Sequence, residues 1–236
     1  MALGSSALGQ LLVWEWKSES YVLKQQGHIY GMNCLDFSDD GQSLVTGADD
    51  GKVKLWNSTS GFCYSTFTVH IGPVTGVRFI GYGNGKAVLS CSLDGSVRAH
   101  DLLRYRNFKT LTSPTPVQFT CVSADVSGEV VCAGAMDPFN VYVWALQTGH
   151  LLDVLSGHEA PIACLDFSRS GALLASGSWD GTLKLWQVYK SECQETMEHG
   201  CDVLAMCFRP DGKEVCTATT NGCLNIWDVE TGSQVR

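Results

Sequence analysis

A repeated spacing constrains the fold of this chain more than any other feature of its sequence. Four histidines are each followed by an Asp or Asn, 22 residues later in three copies and 24 residues later in the second. The four pairs are His28 and Asp50, His70 and Asp94, His158 and Asp180, and His199 and Asn221. Self-similarity at a fixed period is the sequence signature of a repeat protein.

Two further positions recur in register with these pairs. A hydroxyl side chain lies four residues before each Asp or Asn. A Trp or His lies six residues after the same Asp or Asn and ends the copy. In copy order the members are Thr46 and Trp56, Ser90 and His100, Ser176 and Trp186, and Thr217 and Trp227. A looser copy has Thr115 and Ala133 at the His and hydroxyl positions, followed by Asp137 and Trp144.

Between these landmarks, apolar and polar residues alternate over short stretches. Clusters of Gly, Asp, Asn and Ser interrupt them about every ten residues, which is typical of short antiparallel strands joined by tight turns. The sequence therefore predicts an all-β protein with four strands per repeat, the period of propeller blades. We expect a single domain, 1–236, with repeats at about 17–57, 58–101, 102–145, 146–187 and 188–228.

The repeat pattern resembles the WD-repeat family, from Gly-His at the start of each unit to "DGKVKLW" and "DGTLKLW" at its end. The resemblance implies that His, Ser or Thr, Asp and Trp form a buried hydrogen-bonded tetrad in each blade. Complete sets are His28, Thr46, Asp50 and Trp56, and His158, Ser176, Asp180 and Trp186. Partial sets are His70, Ser90 and Asp94; Asp137 and Trp144; and His199, Thr217 and Trp227. We expect blades with partial sets to be less rigid.

The pattern predicts about five blades plus part of another. Residues 9–16 repeat the spacing of a third strand whose first two strands are missing, and the fifth repeat stops soon after its own third strand. A seven-bladed ring needs more strands than this, so the sequence predicts an incomplete ring with unpaired strand edges.

The same His, Ser and Asp residues could also suggest a hydrolase triad. A nucleophilic serine needs a base, an oxyanion hole and access for a substrate, and several similar copies are a poor way to build one active site. The eleven cysteines contain no Cys-X-X-Cys pair, and Cys34, Cys121 and Cys164 lie among apolar residues. We therefore expect no catalysis, no cofactor and no metal, and the odd cysteine count without a signal sequence favours a reduced, intracellular protein.

Partner binding is expected at the mouth of the central channel of such a propeller. The candidates lie just before the turn Asp or shortly after the His, and they are Asn33, Asp49, Thr75, Leu93, Gln118, Met136, Trp179 and Asp202. Exposed aromatic residues on a rigid rim are favoured anchors, which singles out Trp179, although it could equally pack against a neighbouring blade.

A second candidate surface is the basic and aromatic stretch 102–114, with Arg104 and Arg106. It could hold single-stranded RNA, but a solvated outer strand is the commoner explanation. The formal net charge of −8 argues against a protein whose main affinity is for phosphate backbone. No apolar run is long enough to span a membrane.

Several phrases outside the repeat landmarks, including "GQLLVWEW", "YVLKQQGH" and "VRAHDLLRYRNFKTLTSP", resemble one member of the WD-repeat family. That member is a nucleolar subunit of the small-subunit processome. The resemblance implies a non-catalytic scaffold in small ribosomal subunit biogenesis and pre-rRNA processing. Its partners would be other proteins of a large ribonucleoprotein, with local or indirect contact to pre-ribosomal RNA. The alternative is a substrate receptor or adaptor in another complex, such as a ubiquitin ligase.

Overall fold

The computed structural model describes residues 1–5, 8–15, 17–82, 85–169 and 173–235. It divides into two compact units, 1–112 and 113–236, which are called unit 1 and unit 2 below. The assignment of the whole chain to a single domain stays a prediction. Trp16, at the end of the predicted strand 9–16, lies outside the described residues.

Unit 1 contains three antiparallel sheets. The leading sheet is β1–β3, sheet 1 is β4–β7 and sheet 2 is β8–β11. The strands are β1 (Ala2–Gly4), β2 (Gln10–Glu15), β3 (Ser20–Gln26), β4 (Met32–Phe37), β5 (Ser43–Ala48), β6 (Val53–Asn57), β7 (Cys63–Phe67), β8 (Val74–Tyr82), β9 (Gly85–Ser92), β10 (Ser96–Asp101) and β11 (Arg106–Thr112).

Unit 2 also contains three antiparallel sheets. Sheet 3 is β12–β15, sheet 4 is β16–β19 and sheet 5 is β20–β22. The strands are β12 (Phe119–Ala124), β13 (Val130–Ala135), β14 (Val141–Ala145), β15 (Leu151–Leu155), β16 (Ile162–Phe167), β17 (Leu174–Ser178), β18 (Thr182–Gln187), β19 (Glu192–Glu198), β20 (Val203–Phe208), β21 (Glu214–Thr219) and β22 (Leu224–Asp228).

The all-β prediction is confirmed, and sheets of three or four antiparallel strands are the blades that the repeat pattern predicts. Each predicted repeat contains four of the strands described above. One strand was not expected: β1 pairs with β2 from Ala2↔Val13 to Gly4↔Leu11, so the partial blade holds more than its third strand. The incomplete ring stays a prediction. In the described part of the chain, no helix is long and apolar enough to cross a membrane.

Alternation along the third strand of each sheet builds the core. In β6, Val53 and Leu55 are fully buried and pack with Val74 and Val77 of the next sheet. Trp56 points the other way and packs with Leu11 of the leading sheet. Because successive side chains point to opposite faces of a strand, one strand supplies apolar surface to the sheets on both sides of its own sheet. The same arrangement in unit 2 places Leu183 and Leu185 against sheet 5.

A cysteine and a glycine lie opposite each other on the first two strands of three sheets. The pairs are Cys34↔Gly47, Cys121↔Gly134 and Cys164↔Gly177. A Cβ atom on Gly47 would lie 2.7 Å from the Cys34 Sγ and 2.5 Å from Val74 of the next sheet. Sheet 2 has the same pair in reverse order, Gly76↔Cys91. The cysteines predicted to be small core residues therefore fill space that their glycine partners leave.

Candidate functional site

A chain of hydrogen bonds links the four predicted residues of sheet 4. The indole Nε1 of Trp186 donates to the Ser176 Oγ at 2.8 Å, which lies 2.7 Å from the His158 Nε2. The His158 Nδ1 lies 2.8 Å from an Asp180 carboxylate oxygen. Because a carboxylate only accepts, a neutral His158 donates from Nδ1 and accepts the Ser176 hydroxyl proton at Nε2. Every donor in this chain has an acceptor.

Sheet 1 contains the same chain. Trp56 donates to the Thr46 Oγ1 at 2.9 Å, the His28 Nε2 lies 2.8 Å from that oxygen, and the His28 Nδ1 lies 3.1 Å from Asp50. The structure therefore brings together both sets that were predicted to be complete.

Sheet 2 completes its chain with a histidine in place of tryptophan. His70 contacts Asp94 at 2.9 Å and the Ser90 Oγ at 2.8 Å, and the His100 Nε2 lies 2.9 Å from the same Ser90 oxygen. His100 is fully buried and stacks on Phe67, with ring centroids 4.4 Å apart. The bonded chain therefore reaches from Asp94 to His100, and the buried His100 Nδ1 has no partner among the described residues. The sequence could have indicated this role for His100, because an imidazole N–H can donate a hydrogen bond as an indole N–H does.

Sheet 3 lacks this chain. Thr115 is exposed, Ala133 is buried, and Asp137 is exposed next to a cis peptide bond with Pro138. Asp137 and Trp144 are therefore not the remnant of a buried polar set, and of the two only Trp144 belongs to the core.

Three aromatic rings pack together in sheet 3 instead. Trp144 stacks on Tyr142 with centroids 5.9 Å apart, and Phe119 meets both rings edge-on at 5.6 and 5.7 Å. Tyr142 lies directly opposite Ala133, the position that carries a hydroxyl in the other sheets. Loss of the hydroxyl leaves room for a ring, and favourable aromatic contacts surround Trp144 in this sheet.

Sheet 5 retains only part of the chain. The His199 Nε2 lies 2.8 Å from the Thr217 Oγ1, but its Nδ1 lies 3.2 Å from the Met197 carbonyl oxygen. Asn221 accepts bonds within its own turn, and the buried Nε1 of Trp227 has no partner among the described residues. The polar chain of this sheet therefore does not extend from His199 to Asn221 or Trp227 among the described residues.

Burial controls the electrostatics of these chains. It lowers the pKa of His28, His70 and His158, although the neighbouring carboxylates oppose the shift. Burial also lowers the pKa of His100, to about 3. For Asp180, burial raises the pKa, but the hydrogen bonds from Thr182, Glu159 and His158 outweigh it, so the net shift is downward.

The hydroxyls of these chains do not have the surroundings of a nucleophile. Ser176 and Thr46 are fully buried, and each is held between an indole N–H and an imidazole nitrogen. A nucleophile needs access for its substrate. The arrangement supports a mechanical role, in which the chain of bonds ties the turn Asp to the core of its sheet.

The predicted rim residues lie at one end of their sheets. Asp49, Leu93, Met136 and Trp179 are in the turn between the second and third strands, whereas Asn33, Thr75, Gln118 and Asp202 are at or just before the start of the first strand. Asn33, Asp49, Gln118, Trp179 and Asp202 are exposed, whereas Thr75, Leu93 and Met136 are partly buried. Backbone hydrogen bonds hold these turns in the same way: Leu93 N to Pro73 O, Met136 N to Gln118 O, Trp179 N to Pro161 O, and Thr220 N to Asp202 O.

Some rim residues already have partners within unit 1. The Asn33 side chain donates to the Asp49 carboxylate at 2.7 Å and to the Val74 carbonyl oxygen at 3.0 Å. Thr75 bonds the Cys91 carbonyl oxygen at 3.3 Å. Trp179 differs from these, since 47% of it is exposed although the turn that carries it is pinned.

Arg104 lies on the exposed turn before β11, and the exposed Arg106 is the first residue of that strand. The ion pairs seen among the described residues of unit 1 do not include either guanidinium. Tyr105, between them, was not predicted as a site residue. Its side chain is exposed and its φ is +48°.

Comparison with known proteins agrees with this architecture. The family model "WD domain, G-beta repeat" matches residues 19–57, 61–101, 149–187 and 191–228, and it omits the repeat whose sheet lacks the polar chain. The chain is 56% identical over its whole length to "Periodic tryptophan protein 2 homolog" of Mus musculus and 52% identical to "Periodic tryptophan protein 2" of Saccharomyces cerevisiae. It spans 26% and 25% of those relatives, about a quarter of their length. The repeats, the blade-like sheets and these matches show that the chain belongs to the WD-repeat family.

Proposed function

We propose that this chain is a non-catalytic scaffold in small ribosomal subunit biogenesis. The observation that carries the proposal is the extent of the likeness to periodic tryptophan protein 2, which covers the whole chain at 56% and 52% identity. Propeller packing does not dictate turn residues, so agreement at this level reflects more than a shared fold. The partners would be other proteins of the small-subunit processome in the nucleolus, with local or indirect contact to pre-ribosomal RNA.

The geometry supports a binding role in preference to a catalytic one. The His, Ser and Asp residues form buried chains that stabilise turns, and those turns present side chains such as Trp179 to solvent. Rigid turns that carry exposed aromatics suit protein binding, because little conformational entropy is lost on association. We propose Trp179 as one docking anchor and the turn with Arg104 and Arg106 as another.

Affinity purification of the tagged chain tests the scaffold directly. Small-subunit assembly factors and precursor rRNA should copurify, whereas ubiquitin-ligase adaptors would indicate a substrate receptor. Depletion of the full-length protein should lower small-subunit rRNA while large-subunit rRNA is maintained. Unchanged small-subunit rRNA after depletion would refute the assignment.

A further inference from the structure

An aromatic residue in unit 1 occupies a backbone conformation that favours glycine. Four residues after the end of β2, β6, β10, β14, β18 and β22, which occupy matching positions in the repeats, the chain has a residue with positive φ. These residues are Glu19, Gly61, Tyr105, Gly149, Ser191 and Gly232. Tyr105 is the bulkiest of them, and a left-handed conformation is unfavourable for a residue with a large side chain. Since glycine serves at three of the six positions, the turn itself does not require an aromatic.

Packing accounts for only part of the Tyr105 ring. The ring meets Tyr64 of sheet 1 edge-on, with centroids 6.1 Å apart, yet 52% of Tyr105 remains exposed. Leu103 in the same turn is 77% exposed. A strained backbone that holds exposed apolar surface in place is more consistent with binding than with stability.

The charges around this turn differ from those of the chain as a whole. Unit 1 has ten Lys and Arg against nine Asp and Glu, a formal charge of +1, whereas unit 2 has six against fifteen, a formal charge of −9. Arg104 and Arg106 flank Tyr105 and are exposed. Nearby, Lys86 forms a 2.5 Å ion pair with Asp40. Lys86 is thus already paired, and the turn offers the guanidinium groups of Arg104 and Arg106. Guanidinium groups bind carboxylates in a bidentate manner.

We propose that residues 103–106, here called the 103–106 turn, bind a short acidic segment of a protein partner. Carboxylates of the segment would pair with Arg104 and Arg106, and its apolar side chains would pack on Leu103 and Tyr105. This proposal rests on the scaffold role and names one of its contacts.

An acidic peptide fits this surface better than RNA does. Binding to a phosphate backbone depends on many cations that together release counterions. Here the turn presents two guanidinium groups, the Asp101 carboxylate accepts backbone N–H groups of the same turn, and unit 1 is close to neutral overall. The 103–106 turn can bind two carboxylates through Arg104 and Arg106 and can pack one apolar side chain on Leu103 and Tyr105.

The test uses the 236-residue chain and a labelled peptide that repeats Glu-Leu-Glu-Tyr three times, followed by fluorescence anisotropy. Arg104→Ala combined with Arg106→Ala should weaken binding about fivefold to tenfold, the effect expected from two exposed ion pairs. Tyr105→Gly should also weaken binding, while its thermal midpoint stays within about 2 °C of wild type because relief of strain offsets the lost Tyr64 contact.

The chain contains a matched control in unit 2. Tyr189 and Lys190 lie in a short 3-10 helix, Val188–Lys190, at the equivalent connection of sheet 4 and are also exposed, so Tyr189→Ala combined with Lys190→Ala should leave the affinity unchanged. Equal affinity of wild type and the arginine double variant, or no binding by wild type, would overturn the proposal. Tighter binding of an oligouridylate with the same arginine dependence would overturn it in favour of RNA.

The peptide test and the scaffold test fail in different ways. If assembly factors copurify but the peptide does not bind, the 103–106 turn is refuted and the scaffold stands. If the peptide binds but no assembly factor copurifies, the scaffold is refuted and the turn stands.

Discussion

Sheets 3 and 4 of unit 2 hold a buried tryptophan in two different ways. In sheet 4, the Trp186 N–H donates to Ser176, and the chain of bonds continues through His158 to the turn at Asp180. In sheet 3, Trp144 is fully buried in a cluster with Tyr142 and Phe119.

The difference shows that a blade needs a filled core more than it needs one particular set of interactions around its tryptophan. A hydrogen-bonded chain is directional, so removing one member leaves the others without partners. Aromatic packing depends on volume and shape, so it tolerates replacement of polar groups but not loss of a ring. The two sheets should therefore respond to different substitutions.

The largest effect is expected from a ring in sheet 3. Tyr142→Ala should lower the free energy of unfolding by about 4 kcal/mol, because a buried aromatic is lost and a cavity remains beside Trp144. Urea denaturation measures this directly. Tyr142→Phe is the matched control and should cost less than about 1.5 kcal/mol, since the ring is retained. A similar loss in both variants would show that the hydroxyl, and not the stack, stabilises the sheet.

A somewhat smaller effect is expected from the polar chain of sheet 4. His158→Ala should cost about 3 kcal/mol, because Ser176 and Asp180 each lose a buried partner. Thr115→Ala changes the equivalent position of sheet 3, which is exposed, and should stay within about 0.5 kcal/mol of wild type. Should His158→Ala melt within a degree of wild type, the polar chain would not be what holds this sheet.

The turns of the two sheets should also differ in binding. Trp179→Ala should weaken the affinity for one partner by about 2 kcal/mol, in the range of binding hot spots, and should leave the fold intact. Val126→Ala, at an exposed turn of sheet 3 outside the predicted rim, serves as the control, and calorimetry with purified assembly factors supplies the affinities. Lost thermal stability with all partners retained would assign Trp179 to the core.

The smallest effect concerns pH. Burial lowers the pKa of His158 in the folded state, so the unfolded chain binds more protons once the pH falls below the ordinary value of 6.5. The contribution of neutral His158 to the free energy of unfolding is present above pH 6.5 and is lost below it. The expected loss is about 1 kcal/mol between about pH 7.5 and about pH 5.5. Urea midpoints at both pH values should show the loss in wild type and a smaller one in His158→Asn. Tyr142→Phe should keep the wild-type dependence, since it leaves His158 and its hydrogen-bond partners unchanged.

The sequence predicted the parts of the site that depend on a recurring residue type. The spacing of His, hydroxyl, Asp and Trp led to the bonded chains of sheets 1 and 4. It did not lead to the donor role of His100, because replacement of Trp was interpreted as a loss. It missed the cluster of sheet 3 because Phe119 and Tyr142 resemble ordinary strand residues until the fold brings them together.

Other features were missed for physical reasons as well. The strand Ala2–Gly4 is too short to show an alternating pattern, so β1 was visible only through its pairing with β2. The strain at Tyr105 is a backbone property that a residue name does not reveal. Repeat spacing thus predicts what each blade shares, whereas the individual character of a blade depends on contacts between residues far apart in the chain.

The cysteine and glycine pairs have a consequence for how mutations combine. Cys34 with Gly47 and Gly76 with Cys91 divide the same space in opposite order. A side chain added at Gly47 alone would meet both Cys34 and Val74 at less than van der Waals distance. We therefore expect these positions to be epistatic: a side chain at Gly47 becomes acceptable only when Cys34 is reduced in size and Val74 also gives way. At this point of sheets 1 to 4, a substitution must therefore be judged for the pair of residues together and not for either residue alone.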